Sequence, residues 1–482
     1  MSVSHAVFAI GAVGLSALAV GAAGCKKSDP PPPTTSSDTT TAAAPSAVAS
    51  SSASVVAETL PRCRVDGARL AIPGDDVVAG DAITTADALL VGVVRRQGAK
   101  RLASVLRASL DLASVKMIDV GTTLGDDPPP SPRMRGGTVF VASYARSAAD
   151  AGAGAGAGAV TGNAGGTTAA IAAGTMTRML EIARFDGAAL VREGAVVQQA
   201  DESLAYDVAW PDHGAPLVAW DEDAPMVSEG STPKAWVMGG RQILADRGVV
   251  KVQVLGAGKP RVASPDTSDA EAPRLLARRG GYWLAWLAHR PEPGEDAGAA
   301  AEGPGERRAY RWVELVALDA KGEATSAVRR VTPEKGRVAS FDLATAPPDG
   351  GAGEPKLVVV VQDEAAVTEG AGERIVRYAV DGQKDRIESA ELLDGGVGHA
   401  LADLLPLAAS DPRATRWLSF TDTQEHAHLV PLGGSLGLAG APTLEPSLDG
   451  ARIVASGPPG DVVYAVGPGA PAGVELRRLV CR

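Results

Sequence analysis

Aromatic side chains make up only 4% of this 482-residue chain, and it has just three cysteines and six histidines. Each scarcity excludes something. Few aromatics beside 57 Gly and 34 Pro argue against long packed helices and predict many short elements joined by turns. Positive charge is short as well: 46 Lys and Arg against 57 Asp and Glu give a net charge of −11. Nucleic-acid partners need clustered basic surface, so they are excluded. Complete catalytic motifs are missing too. Gly433-Gly434-Ser435-Leu436-Gly437 has the letters of a nucleophile elbow, but Leu438-Ala439-Gly440-Ala441-Pro442 cannot start the helix such an elbow needs. Gly256-Ala257-Gly258-Lys259-Pro260 lacks the spacing and the Ser or Thr of a phosphate loop and reads as a hairpin turn.

What is present begins with an address. Residues 6–24 form an uncharged run rich in Ala and Gly that ends Val20-Gly21-Ala22-Ala23-Gly24, followed by Cys25-Lys26-Lys27. Length, composition and small residues before the cysteine are those of an export signal. The phrase resembles a bacterial lipoprotein signal, with Ala22 where that family usually has Leu and with no Lys or Arg in residues 1–5. The resemblance implies cleavage after Gly24, acylation (palmitate among the chains) of Cys25 and a bilayer as partner. It also implies an outer-membrane address facing the periplasm or the cell surface, the sorting type that Lys26 resembles. The alternative is an uncleaved anchor, since about 19 apolar residues can just span a bilayer. Residues 25–60 are rich in Pro, Ser, Thr and Ala, with too few large apolar residues for a core, and read as a disordered tether.

Residues 61–482 read as all-β. Short apolar runs begin at Leu89, Val139, Leu217, Trp283, Leu357, Trp417 and Val462, separated by 50, 78, 66, 74, 60 and 45 residues. Low-complexity stretches near 148–174, 291–307 and 346–355 widen the spacing as solvated insertions, which leaves a period in the range of propeller blades. Tyr206-Asp207-Val208-Ala209 and Phe341-Asp342-Leu343-Ala344 stand in the same relation to the runs that follow them. Three further strands end at Asp186, Asp319 and Asp381, with turn glycines close behind. The expectation is a single β-propeller of about seven blades closed by N- and C-terminal strands, with two β-sandwich domains as the competing architecture. With Cys25 acylated, Cys63 and Cys481 remain as an even pair in an exported chain and predict a disulfide across the closure, against the alternative of two free thiols.

Site chemistry is sparse. His426 and His428, two apart, could face one side of a strand and hold a metal, with His213, His289 or His399 as a third ligand, but the favoured reading is a polar hairpin between the Trp417 strand and the next. Asp221-Glu222-Asp223 and Asp363-Glu364 lack the spacing of a calcium loop and read as solvated turns. Asp207, Asp342 and Asp403 open inner strands, as channel acids or as caps. No cofactor is implied. Two readings follow: a membrane-tethered binding or scaffolding lipoprotein for an envelope protein or glycan, or an exported propeller hydrolase or lyase acting on glycans. In lipid anchor plus ring the layout resembles the propeller lipoprotein of the outer-membrane assembly machinery. That family's Trp- and Gly-bearing repeats are absent, so its role is not implied.

Overall fold

The computed structural model describes residues 63–481 except 73, 75, 124–126, 147–177, 187–188, 199–204, 212–213, 225–234, 239–240, 245–246, 267, 292–308, 347–354, 365–372, 382–386, 398–402, 407–413, 422–423, 425, 434–435, 439–442, 445–447, 449, 458–461 and 470–472. The export signal, Cys25, the tether, His213, His399 and all but the edges of the three low-complexity stretches lie outside the described residues.

Every described regular element longer than one turn is a strand. In chain order they are β1 (Cys63–Ile72), β2 (Val78–Thr84), β3 (Ala88–Gln97), β4 (Lys100–Ser109), β5 (Val115–Thr123), β6 (Ser131–Arg135), β7 (Thr138–Arg146), β8 (Arg178–Phe185), β9 (Leu190–Gln198), β10 (Tyr206–Ala209), β11 (Leu217–Ala224), β12 (Ala235–Met238), β13 (Arg241–Leu244), β14 (Arg247–Val254) and β15 (Arg261–Val262). They continue as β16 (Asp269–Arg278), β17 (Gly281–Pro291), β18 (Ala309–Asp319), β19 (Arg329–Arg330), β20 (Val338–Ala346), β21 (Lys356–Asp363), β22 (Glu373–Val380), β23 (Ile387–Val397), β24 (Asp403–Pro406), β25 (Ala414–Thr421), β26 (Ala427–Gly433), β27 (Thr443–Leu444), β28 (Arg452–Gly457), β29 (Val462–Pro468) and β30 (Val474–Cys481).

The pairing is local and antiparallel. Four-stranded sheets run β2 to β5, β6 to β9, β16 to β19, β20 to β23 and β24 to β27, and one more has the order β10-β11-β14-β15 with the ribbon β12-β13 between its second and third strands. The last sheet has the order β1-β30-β29-β28, so the N-terminal strand completes a sheet whose other three strands come from the C-terminus. We number the sheets I to VII, sheet I opening with β2 and sheet VII being this mixed one. Each apolar run found in the sequence is the second strand of its sheet: β3, β7, β11, β17, β21, β25 and β29.

Side-chain alternation explains why each of these second strands holds an apolar run. Successive residues point to opposite faces, and in a sheet packed on both faces each direction meets a core. In β21, Leu357, Val359 and Val361 pack in a cluster with Trp283, Val313 and Leu315 of sheet IV, whereas Val358 and Val360 pack with Leu418 and Val430 of sheet VI. The same sharing recurs between I and II, II and III, III and IV, VI and VII, and VII and I. A β-propeller-like ring of sheets follows, with VII packed against I. Two separate sandwiches are not what forms: strands divided between two domains would not give this cyclic set of shared cores.

Closure is as the termini suggested. β1 and β30 pair from Cys63 opposite Cys481 to Ile72 opposite Val474, and Cys63 and Cys481 form a disulfide across 418 residues of sequence. Both cysteines are buried in the core shared by sheets VI and VII.

Candidate functional site

The first strand of each sheet lies at the inside of the ring. β28 touches β2, β2 touches β6, β10 touches β16, β16 touches β20, β20 touches β24 and β24 touches β28. Arg133 of β6 completes the circuit by reaching Asp207 of β10 at 3.7 Å. Where these strands converge there is a cavity of about 510 Å³, lined among others by Gly80, Asp81, Pro129, Ser131, Arg133, Tyr206, Asp207, Arg274, Phe341, Asp342 and Arg452. Six first strands thus each bring one charged side chain to it. From sheet I to sheet V they alternate in sign, Asp81, Arg133, Asp207, Arg274 and Asp342, and Arg452 of sheet VII is the sixth.

Register places these residues. Asp207, Arg274, Asp342 and Arg452 lie opposite Ala219, Ala285, Val360 and Val466 of their second strands. Each is followed by an apolar residue, Val208, Leu275, Leu343 or Ile453, that packs into the core shared with the preceding sheet. The apolar residue locks the strand and its predecessor is left at the cavity. Asp403 holds the comparable position in β24, opposite Ser419.

The acids are held by identifiable donors. Ser131 Oγ donates to Asp81 Oδ2 at 2.7 Å and Arg133 Nη1 donates to the same oxygen at 3.0 Å. Burial alone would raise the Asp81 carboxyl, but the guanidinium of Arg133, the Ser131 hydroxyl and the charge of Arg452 outweigh it and hold the group down at about 2. Asp81 is therefore ionised at neutral pH. Asp207 accepts from its own neighbour, Val208 N, at 2.8 Å and from Leu275 N of sheet IV at 2.7 Å, which ties two sheets together at the cavity wall. Asp342 repeats the first contact with Leu343 N at 2.8 Å. Arg452 Nη2 donates to the carbonyls of Ala79 and Gly80 at 3.3 and 2.9 Å, bracing sheet VII to sheet I. Burial pushes the Tyr206 phenol well above the ordinary tyrosine range, and its hydroxyl donates to Ala142 O at 3.3 Å.

The connector before β6 depends on two glycines. A Cβ on Gly92 would lie 1.6 Å from Pro130 O, and one on Gly80 would lie 2.7 Å from Pro129 Cβ. Without side chains at 80 and 92, the prolines lie flat on sheet I and deliver Ser131 to Asp81.

Several expectations need correction. Asp221 and Glu222 are buried strand residues, not solvated turns. Asp221 Oδ2 accepts from Ala272 N at 2.7 Å, and Glu222 accepts from Trp220 Nε1 at 2.6 Å and from Lys251 Nζ at 2.5 Å. Asp363 is buried at the end of β21 and pairs with Arg374 at 2.8 Å, while Glu364 pairs with Arg311 at 2.8 Å. Local polarity read as exposure because the partners come from distant strands. His426 precedes β26; His428 lies within it, its ring stacked on Phe420 with centroids 4.9 Å apart. His289 lies 3.4 Å from Asp269. Among the described residues no three His, Cys, Asp or Glu side chains form a metal-holding group. Gly256 and Gly258 have positive φ in the turn from β14 to β15, as a hairpin requires. No described helix is long and apolar enough to cross a membrane.

The acids Asp207 and Asp342 were visible in the sequence; Asp81, Arg133, Arg274 and Arg452 were not singled out. A signal for two of them existed. Arg274-Leu275 and Arg452-Ile453 repeat the ionisable-then-apolar step of Asp207-Val208 and Asp342-Leu343, with the sign reversed.

No protein-family model matches the chain, and no curated protein matches it in sequence. Among solved structures, the acylaminoacyl peptidase of Pyrococcus horikoshii is similar at a TM-score of 0.42 and 11% identity, over 84% of this chain and 52% of that one. This chain therefore spans about half the length of that peptidase. The α-L-arabinofuranosidase Arb93A of Fusarium graminearum is similar at 0.40 and 10% identity, over 85% and 97% of the two chains. The polysaccharide lyase Uly1 is similar at 0.40 and 8%, over 85% and 90%. At such scores each activity stays with the protein that bears it.

Proposed function

We propose that this chain is a lipid-anchored, extracytoplasmic propeller whose central cavity binds a glycan. In this reading its seven sheets are the blades of one ring, Cys25 carries the acyl anchor, and residues 25–60 hold the ring off an outer membrane, in the periplasm or at the cell surface. The observation that carries the reading is the cavity wall. Carboxylates fixed by backbone amides, guanidinium groups and the half-buried Tyr206 surround one space of about 510 Å³. Polyhydroxylated ligands are recognised by such a set: charged acceptors and donors for hydroxyls, with aromatic surface for the apolar faces of sugar rings. The backbone bonds to Asp207 and Asp342 set these acceptors in place before a ligand arrives, which lowers the ordering cost of binding.

A second reading, hydrolysis or elimination on the bound glycan, is favoured by three carboxylates, Asp81, Asp207 and Asp342, on one cavity, since glycosidic hydrolysis uses a carboxylate pair. Asp81, held at about 2, would serve there as base or nucleophile and not as the acid. The test is a glycan array probed with the full chain, followed by incubation of each retained glycan and measurement of new reducing ends and of the ultraviolet absorbance of unsaturated sugar. Retention without product supports the binding propeller; product lost in D207N or D342N supports the enzyme. No retained glycan refutes both. Intact mass from the native membrane fraction tests the anchor separately, an unprocessed Met1 being the refuting result.

A further inference from the structure

We infer that Arg274 is an oxyanion-recognising residue and that the ligand is an acidic glycan bearing carboxylate or sulfate groups. This rests on the glycan reading above and specifies its substrate class.

The three guanidinium groups at the cavity are not equivalent. Arg133 is engaged by Asp81 at 3.0 Å and Asp207 at 3.7 Å. Arg452 is engaged by the Ala79 and Gly80 carbonyls and faces the charge of Asp81. Arg274 pairs with no carboxylate among the described residues; its hydrogen bond is Nη1 to the carbonyl of Pro273, its own neighbour, at 3.1 Å. It lines the cavity half-buried, with the rest of its planar fork uncommitted. A guanidinium fork matches the two oxygens of a carboxylate or sulfate, a geometry that a lysine ammonium does not reproduce.

The backbone beneath Arg274 is the second observation. β16 loses register with β17 between Glu271 and Arg274, and Ala272 in the bulge has φ 51°, a left-handed conformation that a residue with a Cβ adopts only under strain. Two carboxylates of sheet III hold it there: Asp221 accepts from Ala272 N and Asp207 accepts from Leu275 N, both at 2.7 Å. Acids that could have neutralised Arg274 are thus spent on the amides flanking it. Bulges re-aim side chains beside sites, and strain of this kind persists where surrounding contacts fix it. The net charge of −11 opposes indiscriminate adsorption of polyanions, so acidic glycan held by this chain must be held at such a site.

Calorimetric titration of the full chain tests the inference with four probes: tetragalacturonate, its methyl ester, a sulfated galactan tetrasaccharide and neutral galactotetraose. The expected result is that tetragalacturonate or the sulfated probe binds at least about tenfold more tightly than its uncharged counterpart. R274Q should erase that preference, and R274K should restore part of it. Which acidic probe is preferred separates carboxylate from sulfate. Equal binding of acidic and neutral probes, or an unaltered preference in a folded R274Q, overturns the inference while the glycan reading stands. If no neutral saccharide binds and glutarate displaces the acidic probe completely, Arg274 remains an anion site and the glycan reading fails. Absence of binding by all four overturns both.

Discussion

Removing the Cys63–Cys481 disulfide is the sharpest test of how the ring is closed. The bridge closes a loop with a sequence separation of 418, and the chain-entropy relation gives about 6 kcal/mol for a loop of that size. That is a ceiling. A denatured chain retains some contacts between its ends, and measured losses of native bridges fall at about 2–5 kcal/mol, so C63A/C481A should lose about 4 kcal/mol. Both cysteines are buried in the core between sheets VI and VII, so Ala in place of Cys also removes some packing in that core. The consequence should be local first. β1 is the only strand of sheet VII from the N-terminal end, and once untied it is held by its ladder to β30 and by Ile72 in the core with sheet I. Urea unfolding followed by tryptophan fluorescence measures the loss, and hydrogen exchange should show the β1 amides of the variant opening ahead of the other sheets. A variant whose midpoint lies within about 0.5 kcal/mol of the parent, with β1 still protected, would refute the reasoning and assign closure to the strand ladder alone.

Three further perturbations follow from the packing. Glu314 is buried and accepts from Trp286 Nε1 at 3.1 Å, Trp312 Nε1 at 3.0 Å and the Ser268 hydroxyl. E314A removes the carboxylate that three buried donors share and should cost about 4 kcal/mol in urea melts, and a loss below about 1 kcal/mol would contradict that accounting. G92A drives a Cβ to 1.6 Å from Pro130 O and should cost about 3 kcal/mol or more, whereas G98A, with open space but φ 61°, should cost about 1 kcal/mol; equal thermal midpoints for the two would refute the role given to the proline connector. Burial pushes the Tyr282 and Tyr464 phenols up to about 12, partly offset by Arg135 and Arg478 respectively. A raised folded value means that this stability is fully present below the unfolded value of 10.0 and is lost as pH rises through about 12. On the order of 2–3 kcal/mol per tyrosine should therefore disappear in that window, with phenolate absorbance appearing together with unfolding. Phenolate forming near pH 10 in the folded protein would refute it.

The fold was legible because its strongest signal is local. A second strand packed on both faces is apolar at consecutive positions over its middle, so a run such as Leu357-Val358-Val359-Val360 announces itself. The termini were legible for a related reason: Cys63 and Cys481 are an even pair, and the segments beside them alternate. What stayed hidden was the fate of charge. Asp221 and Glu222 look like a solvated turn because nothing near them in sequence shows that Ala272 N and Lys251 will meet them. Buried acids satisfied by distant strands are invisible to any local reading.

The cavity was half legible for a reason that concerns the ring itself. Asp207 and Asp342 stood out because they share a sign and a phrase; Arg274 and Arg452 occupy the same step but carry the opposite charge, so a search for repeated letters passes over them. Opposite signs on touching strands are nevertheless what the geometry favours. First strands of neighbouring sheets bring their ionisable residues close around one space, and like charges on every strand would repel with little solvent to screen them. Reversing sign between sheets I, II and III lets Arg133 sit between Asp81 and Asp207, and the six charges that line the cavity are formally balanced. Balance in number is not balance in contact. Asp207 is given to backbone amides, so Arg274 keeps a formal charge without a bound partner, and it is that mismatch, not the total, that makes the cavity receptive to an anion.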